Sequence, residues 1–168
     1  MSLKFLALIT VTLCGLLIGL EFKRRLSIRV QSLEMFRSLF LEMKSMIAHS
    51  GMTLDDMIWN ISDRRGDNGF LHQMSEYISE NSFREAWKRS LHERQNELCL
   101  TEDDLRMLTD CAEMLGKSDI EGELQALALI DERVTRTLGE ARDKLNADGK
   151  VYVTMGGSCG VILALLLL

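Results

Sequence analysis

LKFLALITVTLCGLLIGL, residues 3–20, and VYVTMGGSCGVILALLLL, residues 151–168, bracket this chain with two apolar runs, and Lys4 is the one charged residue in either. Each run holds 18 residues. Coiled as a helix, such a run extends roughly 27 Å, enough with its flanks to cross a hydrocarbon core of about 30 Å. The second offers no polar face to water, and a helix apolar all round belongs in lipid. The first, with Lys4 ahead of it, also suits a cleaved secretion signal. Its flank argues for a retained anchor: no small-x-small site follows Leu20, and Glu21-Phe22-Lys23-Arg24-Arg25 comes directly after it. Cys14 follows Thr12-Leu13, where a lipoprotein signal wants small residues.

Outward from the runs lie basic residues. Lys23, Arg24, Arg25 and Arg29 follow the first, and Arg142, Lys144 and Lys150 precede the second. By the positive-inside rule the middle of the chain faces the cytoplasm, and both ends lie on the other side. The expected division is therefore an N-terminal transmembrane helix over 1–21, a cytoplasmic domain over 22–149 and a C-terminal transmembrane helix over 150–168. Cys14 and Cys159 fall in the spans, Cys99 and Cys111 in the middle, without metal-ligand spacing, which suits reduced thiols. His49, His72 and His92 stand far apart and predict no metal site.

The middle has the size of one domain. The whole chain has no proline, and no segment alternates with the period of a strand. Capping boxes, in which a hydroxyl caps backbone amides and an acid three residues on reaches back, are expected at Thr53 to Asp56, Ser82 to Glu85, Thr101 to Asp104 and Ser118 to Glu121. Gly51, Gly66, Gly69 and Gly116 fall between the segments. The fold class is all-α: a bundle of six helices over 22–48, 54–64, 70–80, 83–99, 102–115 and 119–147, held between the two spans. Leu26, Leu33, Phe36, Phe40, Met43 and Ile47 form one stripe on the first helix. Ile120, Leu124, Leu127, Val134, Leu138, Ala141 and Leu145 form another on the last, and the two long helices are expected to pack antiparallel as a stalk. Asp131 interrupts the second stripe beside Ile130; buried, it needs a basic partner, Arg37 or Arg29. In the spans, Gly15 and Gly19, and Gly156, Gly160 and Ala164, have the small-residue spacing that lets helices approach closely in lipid, with each other or with a partner's helix.

Chemistry is nearly absent. No phosphate-binding loop, nucleophile elbow, HExxH or dinucleotide fingerprint occurs. Acidic pairs such as Asp55-Asp56 and Asp103-Asp104 sit in first turns, where they serve helix dipoles. An enzyme is not expected, nor a cofactor. Charge is uneven: over 21–50 six bases oppose three acids, and over 102–123 eight acids oppose Arg106 and Lys117. The basic base suits anionic headgroups. The acidic stretch repels nucleic acid and is either a solvated face or a surface for a basic protein.

Glu113-Met114-Leu115-Gly116-Lys117-Ser118-Asp119, Ala86-Trp87-x-x-Ser90-Leu91, the Thr53-Leu54 helix start, and Lys150-Val151-Tyr152 leading into Gly156 and Gly160 together resemble stage III sporulation protein AB, nearly end to end. That resemblance implies a helical domain like that of the type II secretion platform protein. It implies a non-enzymatic component of the channel joining mother cell and forespore, in the membrane around the forespore. The implied partners are a secretion-type ATPase (stage III sporulation protein AA), other channel subunits, membrane lipids and further copies of the chain. The family's Leu-Gly-x-Ser-Asp turn fits Leu115, Gly116, Ser118 and Asp119. The glutamine it places four residues after the aspartate is Glu123 here, and a proline near Leu54 is missing. If the turn docks the ATPase, Glu113, Gly116, Asp119, Glu121 and Glu123 are the residues expected to carry the contact, with Lys23, Arg24, Arg25 and Arg29 at the headgroups. The competing expectation is a membrane-tethered helical adaptor that binds anionic lipid or a signalling partner.

Overall fold

The computed structural model describes the backbone of residues 2–65 and 69–166, and the side chains among them except those of 2–9, 11, 50, 65, 153, 156, 157 and 159–166. The described residues form six helices and no strand: α1 (Ser2–Ser50), α2 (Leu54–Arg65), α3 (Phe70–Ile78), α4 (Phe83–Arg94), α5 (Glu102–Met114) and α6 (Ile120–Leu166). The first apolar run and the segment 22–48 are one helix, as are 119–147 and most of the second run. Among the described residues no helix is long and apolar enough to cross a membrane. Cys159, Gly156, Gly160 and Ala164 lie outside the described side chains.

The helix ends follow local chemistry. α1 stops at Gly51, whose φ of 58° is a left-handed conformation that glycine adopts without strain. α4 ends at Arg94, short of the expected Cys99, in a Schellman turn: Leu100 N–H donates to Gln95 C=O at 3.2 Å and Cys99 N–H to Asn96 C=O at 3.3 Å. Cys99 holds the left-handed position of that turn, at φ 51°, where glycine is usual. α5 starts with a complete capping box, Thr101 Oγ1 accepting from Asp104 N–H at 3.2 Å and Asp104 Oδ2 from Thr101 N–H at 2.9 Å. At α2, Thr53 Oγ1 accepts from Asp56 N–H at 3.3 Å. At α4 the box does not form, because Ser82 gives its hydroxyl to the Glu85 carboxylate at 3.0 Å and caps no backbone N–H.

The chain divides into two compact units, one of residues 1–31 with 138–168, the other of 32–137. In the first, Phe22 stacks on Tyr152 with ring centroids 5.2 Å apart. A Cβ at Gly149 would lie 3.5 Å from Lys23 Cγ. Ascending positions on α1 thus meet descending positions on α6, an antiparallel pair. Gly19 is buried and Gly15 half-buried. Leu13, Leu16, Leu17, Ile18, Leu20, Val151 and Met155 are exposed. Arg24 and Arg25 reach Glu21 at 3.8 and 3.5 Å across open surface, pairs that contribute little in water.

The second unit is built on Trp87. Its ring is fully buried, 5.3 to 5.8 Å from those of Phe36, Phe40, Phe70 and Phe83, and its Nε1–H donates to Leu108 C=O at 3.0 Å. Four aromatic neighbours and a satisfied N–H make it the hub of the core. Around it α2 packs on α3, α3 on α4 and α4 on α5. In this unit the α1 stripe is buried as Leu33, Phe36, Leu39, Phe40, Met43 and Ile47, and the α6 stripe as Leu127, Ile130 and Val134; Val30, Leu138 and Ala141 are buried residues of the first unit. Ile130 takes the inward place, so Asp131 lies at the edge of the seam, about a third exposed, and pairs with Arg37 Nε at 2.9 Å. Ile120, expected in the stripe, is 57 % exposed, since it opens the helix beside a turn.

Candidate functional site

A concavity of the second unit lies where five helix ends converge. A cavity of about 480 Å³ is lined by Ile47 at the end of α1, Met52 to Asp55 and Met57 at the start of α2, Ser82 to Arg84 at the start of α4, and Leu115, Gly116, Ser118, Ile120 and Glu123 around the α5–α6 turn. Each contributor is fixed by the local chemistry of a helix terminus.

The turn is held by side chains reaching into it. Leu115 is buried and extended, and its carbonyl accepts from Arg84 Nη2 at 2.8 Å. Gly116 has φ 73°, a left-handed conformation that strains any residue with a Cβ, and a Cβ there would sit 3.1 Å from Leu54 Cδ1, which would have to shift by a few tenths of an ångström. The expected Ser118 to Glu121 capping box does not form. Asp119 is the N-cap instead, accepting from Gly122 N–H at 3.1 Å. Glu123 folds back, its Oε1 accepting from Lys117 N–H at 3.0 Å and Ser118 N–H at 3.1 Å. Gly122 permits this close winding, because a Cβ there would meet Ser118 Cβ at 2.5 Å.

The five residues expected to contact a partner therefore separate. Glu121 is exposed, and Asp119 is exposed while it caps α6. Gly116 sits at the lip of the cavity. Glu113 is bound to Lys88 Nζ at 2.5 Å, and that hydrogen bond, with the ammonium charge, holds its carboxyl below the usual range. Glu123 is 7 % exposed, so it does not face outward as a surface acid. Its Oε2 has no hydrogen-bond partner, and neither does Arg84 Nε. A buried polar atom left so costs about 1–3 kcal/mol, more when charged. Arg84, Leu54 and Gly122 were not legible as site residues; the signal for Arg84 lies in a contact 31 residues away.

Elsewhere the buried Ser90 hydroxyl also lacks a hydrogen-bond partner, and the other functional-type side chains are paired or scattered. Tyr77 Oη donates to Glu93 Oε2 at 2.6 Å and Arg89 Nε to Glu93 Oε1 at 3.0 Å, which together hold the Glu93 carboxyl down. His49, His72 and His92 are exposed, and among the described residues no group of His, Cys, Asp and Glu has the arrangement to hold a metal. Burial pushes the Cys111 thiol up to about 11, the opposite of what a nucleophile needs.

A family model described as stage III sporulation protein AB matches residues 4–168. The chain belongs to that family. Comparison with curated proteins and with solved structures returns no match. Membership in the stage III sporulation protein AB family assigns the chain to spore formation. It also covers both apolar runs and the whole helical unit, so the Leu115-Gly116-Lys117-Ser118-Asp119 turn belongs to the matched region. Where the resemblance implied glutamine, Glu123 Oε1 performs a task that a glutamine Oε1 performs equally: accepting two turn amides. The second atom of the head group, Oε2, is where the two residues differ.

Proposed function

We propose that the chain is a non-enzymatic membrane platform component of the channel between mother cell and forespore, located in the membrane around the forespore. Its central helices face the cytoplasm and dock or couple a secretion-type ATPase, stage III sporulation protein AA, with other channel subunits and further copies of the chain as neighbours. The observation that carries the membrane part is the first unit's surface: Leu17 at 55 % and Ile18 at 59 % exposure on α1, and Met155 at 57 % on α6. A contiguous band of large apolar side chains open to the surroundings marks a lipid or protein contact. Phe22 and Tyr152 cap that band as a stacked pair, the place aromatic residues take at a membrane interface. Lys23, Arg24 and Arg25, all exposed, follow at headgroup level. The two spans, 1–21 and 150–168, are part of this proposal, as is their pairing through Gly15, Gly19, Gly156, Gly160 and Ala164.

The docking part is supported by the exposed acids of the α5–α6 turn, Asp119 and Glu121. The test uses the full chain in nanodiscs and the purified ATPase. Replacing Asp119 by Ser, which keeps an N-cap, together with Glu121→Gln, is expected to weaken binding about three- to tenfold at low salt, with the difference shrinking as salt rises. Equal affinity for both proteins at low salt would sink electrostatic docking at this turn. The adaptor reading is favoured by Lys23, Arg24 and Arg25 alone. It requires tight binding to anionic vesicles with no measurable ATPase affinity.

A further inference from the structure

On α2, Met57, Ile58, Ile61 and Ser62 are buried, and Asp55, Asp56, Trp59, Asn60 and Asp63 are exposed. The helical period asks for polar residues on that outer face. Trp59 departs from it: the indole is 50 % exposed, while Phe36, Phe40, Phe70, Phe83 and Trp87 of the same unit are buried. Among the described residues no ring or cation lies against the Trp59 ring, and its N–H meets no acceptor. Asp55 and Asp63 stand one turn before and one turn after it, within reach of a group laid on the ring, and neither has a partner of its own among the described residues. Asp56 accepts from the Thr53 hydroxyl at 2.7 Å. Arg64, the one base of α2 whose side chain is described, is committed elsewhere, its Nη2 pairing with Glu42 Oε1 at 2.7 Å.

The same unit shows what an aromatic ring beside a carboxylate holds. The Arg89 guanidinium lies 4.1 Å from the centre of the Tyr77 ring while its Nε donates to Glu93 Oε1 at 3.0 Å. Around Trp59 the ring and the carboxylates are in place and the cation is not. Indole attracts a cation more strongly than phenol does, and guanidinium is the cation that can stack flat on a ring and pair with a carboxylate at once. We propose that the outer face of α2 docks a partner protein through an arginine, whose guanidinium lies on Trp59 and pairs with Asp55 or Asp63. Charge complementarity selects this occupant. An anionic membrane surface or a nucleic acid is repelled by the carboxylates, and an apolar partner would desolvate them with nothing in return. Tryptophan and arginine are also the residues that concentrate binding energy at protein interfaces. The inference uses no residue of the α5–α6 turn and does not rest on an ATPase docking there.

The full chain in nanodiscs of zwitterionic lipid is titrated with a fluorescein-labelled alanine-leucine helix that carries a pair of arginines one turn apart. Anisotropy reads the binding, and the ¹⁵N-labelled indoles read the place. Saturable binding is expected, with a shift of the Trp59 indole signal and none of the Trp87 signal, whose N–H stays bonded to Leu108 C=O. Citrulline in place of the arginines keeps the shape without the charge and is expected to weaken binding about tenfold or more, and lysine about threefold. Trp59→Leu, and separately Asp55→Asn with Asp63→Asn, are each expected to weaken it about three- to tenfold, the aspartate pair with a smaller salt dependence. Helicity and melting temperature should stay as in the wild type, since these side chains are exposed. Should a variant unfold, the comparison of arginine with citrulline on the wild-type chain still decides. The proposal is overturned if no saturable binding occurs, or if the citrulline helix or a folded variant binds as well. It is overturned too if anionic vesicles move the Trp59 signal more than the arginine helix does, which would make this a membrane face. A Trp59 signal that moves with the chain's own concentration, without peptide, also overturns it and makes the occupant a second copy. Failure of the ATPase to bind at Asp119 and Glu121 leaves this titration untouched, so the two readings fail separately.

Discussion

Cys99 is the residue that the backbone fits least. It occupies the left-handed place of the turn after α4 at φ 51°, a conformation that costs a residue with a Cβ about 1–2 kcal/mol. Cys99→Gly is therefore expected to stabilise the protein by about 1 kcal/mol, less the entropy glycine adds to the unfolded chain. A rise in the urea midpoint at unchanged slope checks it, and no rise means the strain is absorbed elsewhere. Cys111 gives a second prediction. Its thiol, pushed up from 9.0 to about 11 by burial, is protonated at pH 8, so iodoacetamide is expected to modify Cys99 well before Cys111 in the native protein. The sign for stability follows from the same shift: the protonated thiol favours the fold up to about pH 9, and the advantage is lost as pH rises toward 11. Mass spectrometry of alkylated peptides against time reads the first effect, and equal rates at the two thiols would refute it.

Among elements, the starts of α2, α4, α5 and α6 were legible because each follows a hydroxyl or an acid, whereas α3 follows Gly69 with no side-chain cap; the boxes divide into those that cap and those that do not. Thr101→Ala is expected to cost about 1 kcal/mol, since it removes the acceptor for Asp104 N–H. Ser82→Ala, whose hydroxyl meets only Glu85, is expected to cost a few tenths at most. Paired thermal melts distinguish them, and equal losses would mean that Ser82 caps in solution. The seam positions on α1 and α6 were also readable, because burial follows the helical period. The end of α4 was not, since nothing in Asn96-Glu97-Leu98-Cys99 announces a left-handed cysteine. The Ser118 cap was misplaced by one residue, because Asp119 competes for the same role one position closer to Ile120. The cavity was not readable, since it joins helix ends that the sequence separates widely, and the burial of Glu123 is decided by the two turn amides it accepts from.

For the whole molecule, the exposed apolar band of the first unit sets the expected behaviour in cells. On the proposed membrane reading the full chain stays with membranes through alkaline carbonate extraction, and replacing Leu17 and Ile18 with Glu releases it, as charges placed in a hydrocarbon core cost about 3 kcal/mol each. Retention of that double variant would assign the anchoring to other residues. The ion pair between Arg37 and Asp131 joins positions 94 residues apart, whereas α2 to α5 pack each on its neighbour. Closing a loop of that length costs about 4 kcal/mol of chain entropy before any contact compensates. The consequence is an order of events in time: the four short helices collapse on local contacts, and the α1–α6 seam of the second unit closes last. Weakening that seam, as Arg37→Ala would, then speeds unfolding and leaves the refolding rate nearly unchanged.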